Sequence, residues 1–338
     1  MNEPALPTAE TLLPTLRALL AAGRFSEALE QHRRVEEAPW AGRAEARLLA
    51  ATAAMRVGDL ATAERLATTA LEQFTQRADT DGRMRASNLL GALHFERGEL
   101  PLAEQRFAEA RRLARTLDDT LLGARASNNL ASVAHLRGQP EMALMLYREA
   151  LLGYQRLGDR RGTAETYHNL GLSFRQIAAW NDAEAATTQA LRHAEIVGER
   201  SLLALAVMGR AELSMERGEH DVARRELDRA GRLTIEADDE LGGAEAQRLL
   251  ALLALREGDA EGALAQAERG RITALAHGSA LLAAECAAAA ALALLRLGRA
   301  EAAQERRAEA LRGFERLGAT ALVSRLHAEW TERETRRD

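Results

Sequence analysis

Residues 120–178 read TLLGARASNNLASVAHLRGQPEMALMLYREALLGYQRLGDRRGTAETYHNLGLSFRQIA. A helix-length run carries Ser127-Asn128-Asn129-Leu130-Ala131, breaks at Gly138-Gln139-Pro140 and is followed by a second run over 142–157. After Gly158-Asp159 the same grammar restarts, with Tyr167-His168-Asn169-Leu170-Gly171 forty residues beyond its first occurrence. The stretch is one full copy of a forty-residue unit plus the opening helix of the next.

Outward from this copy, Gly58, Gly98, Gly138, Gly218, Gly258 and Gly298 fall on the same grid, with Ala178 in the missing slot and Gly23 opening a shorter first unit. Five residues after each slot stands Ala, at Ala28, Ala63, Ala103, Ala143, Ala183, Ala223, Ala263 and Ala303. Seven before it the residue is again small, as at Ala51, Gly91, Ala131, Gly171, Ala211, Ala251 and Ala291. Two helices approach closely only where small side chains meet, and a tight helix-to-helix turn favours the positive φ that Gly adopts without strain. Each unit is thus expected to be a helical hairpin, and eight are marked. Twenty residues after each turn, Asp118-Asp119, Gly158-Asp159, Gly198-Glu199, Asp238-Asp239 and Gly278-Ser279 offer helix stops and caps to the next hairpin.

Composition agrees. Apolar residues make up 47% of the 338 and aromatics only 4%, which suits close packing of Ala and Leu helices and not a sheet. A globular core stops growing near roughly 250 to 300 residues, a limit that a solenoid escapes because each repeat packs only on its neighbours. The net charge of -5, with Arg as every cation, gives no electrostatic case for nucleic acid. One cysteine, Cys286, rules out an internal disulfide and points to a reducing, cytoplasmic setting. The apolar run at 286–295 is far short of the roughly 20 residues a membrane span needs, and residues 1–11 lack the pattern of a secretion signal.

The Leu-then-small pair, the turn Gly and the paired Ala slots resemble the tetratricopeptide repeat. The forty-residue form is similar to the repeats of the mitotic-spindle adaptor with Leu-Gly-Asn motifs, of bacterial quorum-peptide regulators and of the maltose-regulator sensor. The resemblance implies an all-α, right-handed α-α superhelix of about eight hairpins, with residues 1–11 as a lead-in, 12–318 as solenoid, 319–334 as capping helix and 335–338 as tail. Leu322, Val323, Leu326 and Trp330 give that last helix an apolar stripe. Capping is the expected use of the stripe, and pairing with a second copy through terminal helices is the alternative.

The resemblance also implies that first helices line a concave groove and picks out its slots. In the third to fifth units these hold Arg85, Asn88, Arg125, Asn128, Asn129, Ser132, His135, His168, Asn169 and Arg175. An Asn amide donates to a peptide carbonyl and accepts from its N–H, so such residues suit main-chain capture of an extended peptide. The Arg residues suit a carboxylate or phosphate, or pair with Glu96 and Glu165 on a solvated face. Trp180, Phe107, Tyr147, Leu227, Tyr167 and Phe174 fall on slots expected to pack between helices.

Chemistry finds little support: there is no His-Glu-x-x-His, no paired Cys, no Gly-rich loop with Lys and no Gly-x-Ser-x-Gly elbow. Neither cofactor nor metal is expected, and His135 with His168 would need a third ligand, for which Glu165 is only a loose candidate. The expected function is a non-catalytic protein- or peptide-binding adaptor or sensor. The alternative is a regulatory module that controls a transcription or signalling partner in trans by changing superhelix shape.

Overall fold

The computed structural model describes Thr8 and residues 10–35 and 43–335. Most of the expected lead-in, residues 1–7 and 9, and the tail residues 336–338 lie outside the described residues. Among the described residues there are seventeen helices and no strand. They run as hairpins: α1 (Leu12–Ala21) with α2 (Phe25–Arg33), α3 (Ala44–Arg56) with α4 (Leu60–Gln76), and α5 (Thr80–Glu96) with α6 (Leu100–Thr116). Next come α7 (Thr120–Leu136) with α8 (Pro140–Leu157), α9 (Arg160–Gln176) with α10 (Trp180–Val197), and α11 (Arg200–Glu216) with α12 (His220–Glu236). The series closes with α13 (Glu240–Glu257) and α14 (Ala260–Ala276), α15 (Ala280–Arg296) and α16 (Ala300–Leu317), and a single last helix, α17 (Thr320–Thr335).

The chain forms two compact units. The first comprises residues 1–95 and 102–126, the second residues 96–101 and 127–338. The first has a core of Leu12, Leu16, Leu29, Leu66, Leu90 and Leu93 among small Ala side chains. In the second, Ala, Leu and Val dominate, with Phe314 and Trp330 at the C-terminal end.

Turns follow the grid. Every glycine on it has positive φ, and Ala178 in the missing slot has φ 55°. Halfway between, Ala78, Asp118 and Asp238 also adopt φ of 53° to 54°. Left-handed backbone costs a non-glycine residue roughly 1–2 kcal/mol, so the geometry of the turn outweighs the residue's preference there. The next residue then caps the following helix: Asp119 accepts from Leu122 N at 2.9 Å, Asp159 from Gly162 N at 2.9 Å and Asp239 from Gly242 N at 2.8 Å. Glu199 and Ser279, expected to do the same, make no side-chain cap bond. Glu is one methylene longer than the Asp that reaches an N-terminal amide so readily.

The small slots are buried. Ala131, Ala211, Ala251 and Ala291 are fully covered, and a Cβ on Gly171 would lie 3.0 Å from Thr187 Oγ1. Phe107, Tyr147 and Leu227 are core residues as expected, whereas Tyr167 and Phe174 are only partly buried. Trp180 departs from expectation: it opens α10 and is 43% exposed, although Leu100 in the same slot is buried. The apolar stripe of α17 is covered within the chain, with Leu326 and Trp330 buried against α15 and α16 and the Arg307 guanidinium 4.7 Å from the Trp330 ring.

Within the second unit the start of α17 also reaches back to early turns. Thr320 Oγ1 donates to Arg137 O at 3.1 Å, and a Cβ on Gly138 would sit 3.4 Å from Ala321 Cβ. Gly98 has φ 75°, and any side chain there would overlap Leu317.

Candidate functional site

The expected groove residues of the second unit stand on α7 and α9, and neighbouring helices tie them together. Asn128 Oδ1 accepts from Thr166 Oγ1 at 3.2 Å and from Asn169 Nδ2 at 3.5 Å. Ser132 Oγ bonds to Asn128 O at 3.2 Å and meets the Tyr147 hydroxyl at 2.9 Å, while burial pushes the Tyr147 phenol well above its usual range. His135 Nδ1 lies 3.1 Å from Ser173 Oγ. His168 packs on α11, where a Cβ on Gly209 would be 2.9 Å from its Nδ1. Asn129 is partly buried on the same helix as Asn128.

Charges at the neighbouring slots form a buried network. Arg175 Nη2 bonds Glu212 Oε2 at 2.8 Å. Arg248 approaches Glu212 at 3.9 Å, pairs with Glu245 at 2.5 Å and faces Glu285 at 3.9 Å. Burial opposes ionisation of Glu212, but Arg175 and Arg248 outweigh it and hold the carboxyl below the usual range. Burial dominates at Glu245 and raises its pKa, with Glu285 and Glu212 adding to the effect against Arg248. Beside this network both imidazoles stay neutral. Burial and the Arg175 charge lower His135 to about 4. Burial lowers His168 to about 4 as well, with Arg175 and His135 reinforcing it against Glu212.

In the first unit Arg85 pairs with Glu45 at 2.9 Å and with Asp81 at 2.8 Å. Asn88 keeps its Oδ1 buried with no hydrogen-bond partner, and Arg125 is exposed. Glu96 and Glu165, named as expected partners of the Arg residues, take neither Arg85 nor Arg175; Glu165 pairs with Arg161 instead, at 3.0 Å. Repeat geometry explains this, since Arg175 and Glu212 lie slightly less than one repeat apart and so face each other across adjacent first helices. Thr166, Ser173, Glu212 and Arg248 are the members that the groove reading of units three to five left out. Glu212 and Arg248 do stand on the corresponding first-helix slots of later repeats. Among the described residues no group of three or more His, Cys, Asp or Glu is placed to hold a metal ion. Cys286 is buried and its thiol is pushed up to about 12, chiefly by burial.

Hairpins of forty residues, with small residues at the crossings and a polar face on the first helices, are an arrangement of the tetratricopeptide type. Residues 124–196, from α7 into α10, match the tetratricopeptide repeat family model. No curated protein sequence matches the chain. Among solved structures, the Rap conjugation gene regulator of the plasmid pLS20 in complex with the Phr* peptide is similar, with TM-score 0.68 and 13% identity over 93% of this chain and 97% of that one. A Rap protein complexed with Competence and Sporulation Factor gives 0.65 and 14% over 97% and 98%. Aspartyl phosphate phosphatase F from Bacillus subtilis gives 0.57 and 13% over 100% and 96%. At such identities the likeness is one of fold. Among the described residues no helix is long and apolar enough to cross a membrane.

Proposed function

We propose that the protein is a non-catalytic adaptor or sensor that takes an extended peptide or protein segment along the face of its first helices, centred on α7 and α9. The Asn128–Asn169 pair carries this reading. Its single interamide bond fixes two neighbouring repeats to each other and leaves the Asn128 Nδ2 donors and the Asn169 Oδ1 acceptor without partners among the described residues. A preorganised donor and acceptor on successive repeats suit main-chain capture, because little ordering remains to be done on binding. Residues 12–318 act in this reading as the binding solenoid and 319–334 as its cap. The peptide complexes of similar fold lend support. The imidazoles, neutral down to about pH 4, make poor proton carriers near neutrality, which favours binding over catalysis.

The test is the double variant Asn128→Ala with Asn169→Ala. Losing the 3.5 Å bond should cost no more than about 1 kcal/mol, so the helical melt stays close to wild type. Partners captured from native lysate by the wild type, identified and then titrated calorimetrically, should no longer bind the variant. Equal affinity for both proteins would overturn the reading.

One observation favours regulation through shape. A ligand that spread α7 and α9 would strain the contact of Thr320 with Arg137, so occupancy of the face would be linked to α17. X-ray scattering with and without the identified partner peptide distinguishes the two: a passive adaptor keeps its radius of gyration.

A further inference from the structure

In the first unit α4, α5 and α6 leave a cleft of about 430 Å³, whose reading does not depend on the function proposed above. Its lining carries three guanidinium groups, Arg83, Arg106 and Arg112, against one carboxylate, Glu109. Arg83 reaches Glu109 at 3.2 Å, and Arg112 grips it with two bonds of 2.9 and 3.0 Å. These bonds hold the Glu109 carboxyl below the usual range, the Arg112 bonds contributing most. Arg106 takes no partner among the described residues. Ser87 lines the same cleft, is 1% exposed and keeps its Oγ buried with nothing to bond.

The next repeat shows what the serine does when the arginines are absent. There Ser127 donates to Glu149 at 3.1 Å, and Gly123, Leu146 and Leu152 stand where Arg83, Arg106 and Arg112 would be. In the first unit two arginines draw Glu109 away and strand the hydroxyl. A buried hydroxyl left unmet is unfavourable, and surplus guanidinium groups lining one cleft match the oxygens of a tetrahedral oxyanion in bidentate fashion.

We infer that this cleft binds a phosphate group, free or as a small monoester, with Arg83, Arg106 and Arg112 holding its oxygens and Ser87 Oγ donating from the floor. Glu109 is the resident counter-ion that the ligand displaces in part. The cleft volume admits a monoester as readily as the bare ion.

The test uses the full chain, with inorganic phosphate and phosphoserine as probes and chloride at matched ionic strength as reference, read by calorimetry and by 31P line width. Saturable binding of either probe over chloride is expected. Arg83→Met with Arg106→Met should weaken it by about tenfold or more. Ser87→Ala should weaken it several-fold, and Glu109→Gln should tighten it. Tighter phosphoserine than phosphate identifies a monoester ligand, and equal affinity identifies the free ion. If the double variant loses helical signal, Arg106→Met alone decides, because that side chain holds no structural partner. No saturable binding by the wild type, or undiminished binding by a folded arginine variant, overturns the inference.

Discussion

Helices α9 and α15 occupy the same place in repeats three units apart and carry opposite faces. In α9 the slots ten, nine and six residues before the turn hold His168, Asn169 and Leu172; in α15 they hold Ala288, Ala289 and Leu292. Behind them the packing positions agree, with Leu170 and Gly171 buried in one and Ala290 and Ala291 in the other. The difference teaches that crossing residues alone position a first helix in this chain, leaving its inner face free to be apolar or polar. Where polar residues fill that face, bonds across repeats such as Asn128–Asn169 and Arg175–Glu212 add to those within each hairpin.

The sharpest way to break the polar side is to remove Glu212. Glu212→Gln leaves Arg175 and Arg248 as buried charges without their shared counter-ion, a loss of about 3 kcal/mol that a lowered urea midpoint would register. Leu292, which fills the same slot in α15 and is buried, has no equivalent vulnerability.

Acid should act next. In the fold His135 and His168 take up protons only near pH 4, whereas unfolded histidine does so near 6.5. The unfolded chain therefore binds more protons between these values, so stability is full above pH 6.5 and falls as pH drops toward 4. Each imidazole should contribute about 1–3 kcal/mol to that slope. His168→Gln should flatten it in pH-dependent melts, since glutamine does not titrate.

The smallest effect sharpens the comparison at the turns. Ala178 closes α9 in left-handed backbone at φ 55°, while Gly298 closes α15 at φ 75°. Ala178→Gly should relieve strain that exceeds the extra freedom of glycine when unfolded, raising stability by about 0.5–1 kcal/mol. A melting temperature unchanged or lower would show that this turn relaxes by other means.

The fold was legible because its causes are local and periodic. Ala178 could be placed in a left-handed turn from its position on the glycine grid alone, and Asp119, Asp159 and Asp239 could be assigned as caps from the residue after the stop. The site was legible only as a face. Whether Asn128 meets a ligand or Asn169, and whether Arg175 meets Glu165 or Glu212, depends on small offsets between neighbouring helices that a forty-residue period does not encode. Trp180 shows the same limit for packing: a shared slot fixes where a helix begins, not whether a large ring there finds cover.

The contact of Thr320 with Arg137 changes how the second unit folds. Nearly every other contact joins neighbours in sequence, so helices can form and dock one after another, in the manner of a linear chain with two free ends. This bond spans 183 residues and joins the end of the series to its beginning. Closing so long a loop is entropically costly until the intervening hairpins have shortened it, which makes the contact a late event in folding. Once made, it ties the start of α17 to the turn after α7. Hydrogen exchange at α17 reports whether this seam opens before the hairpins between.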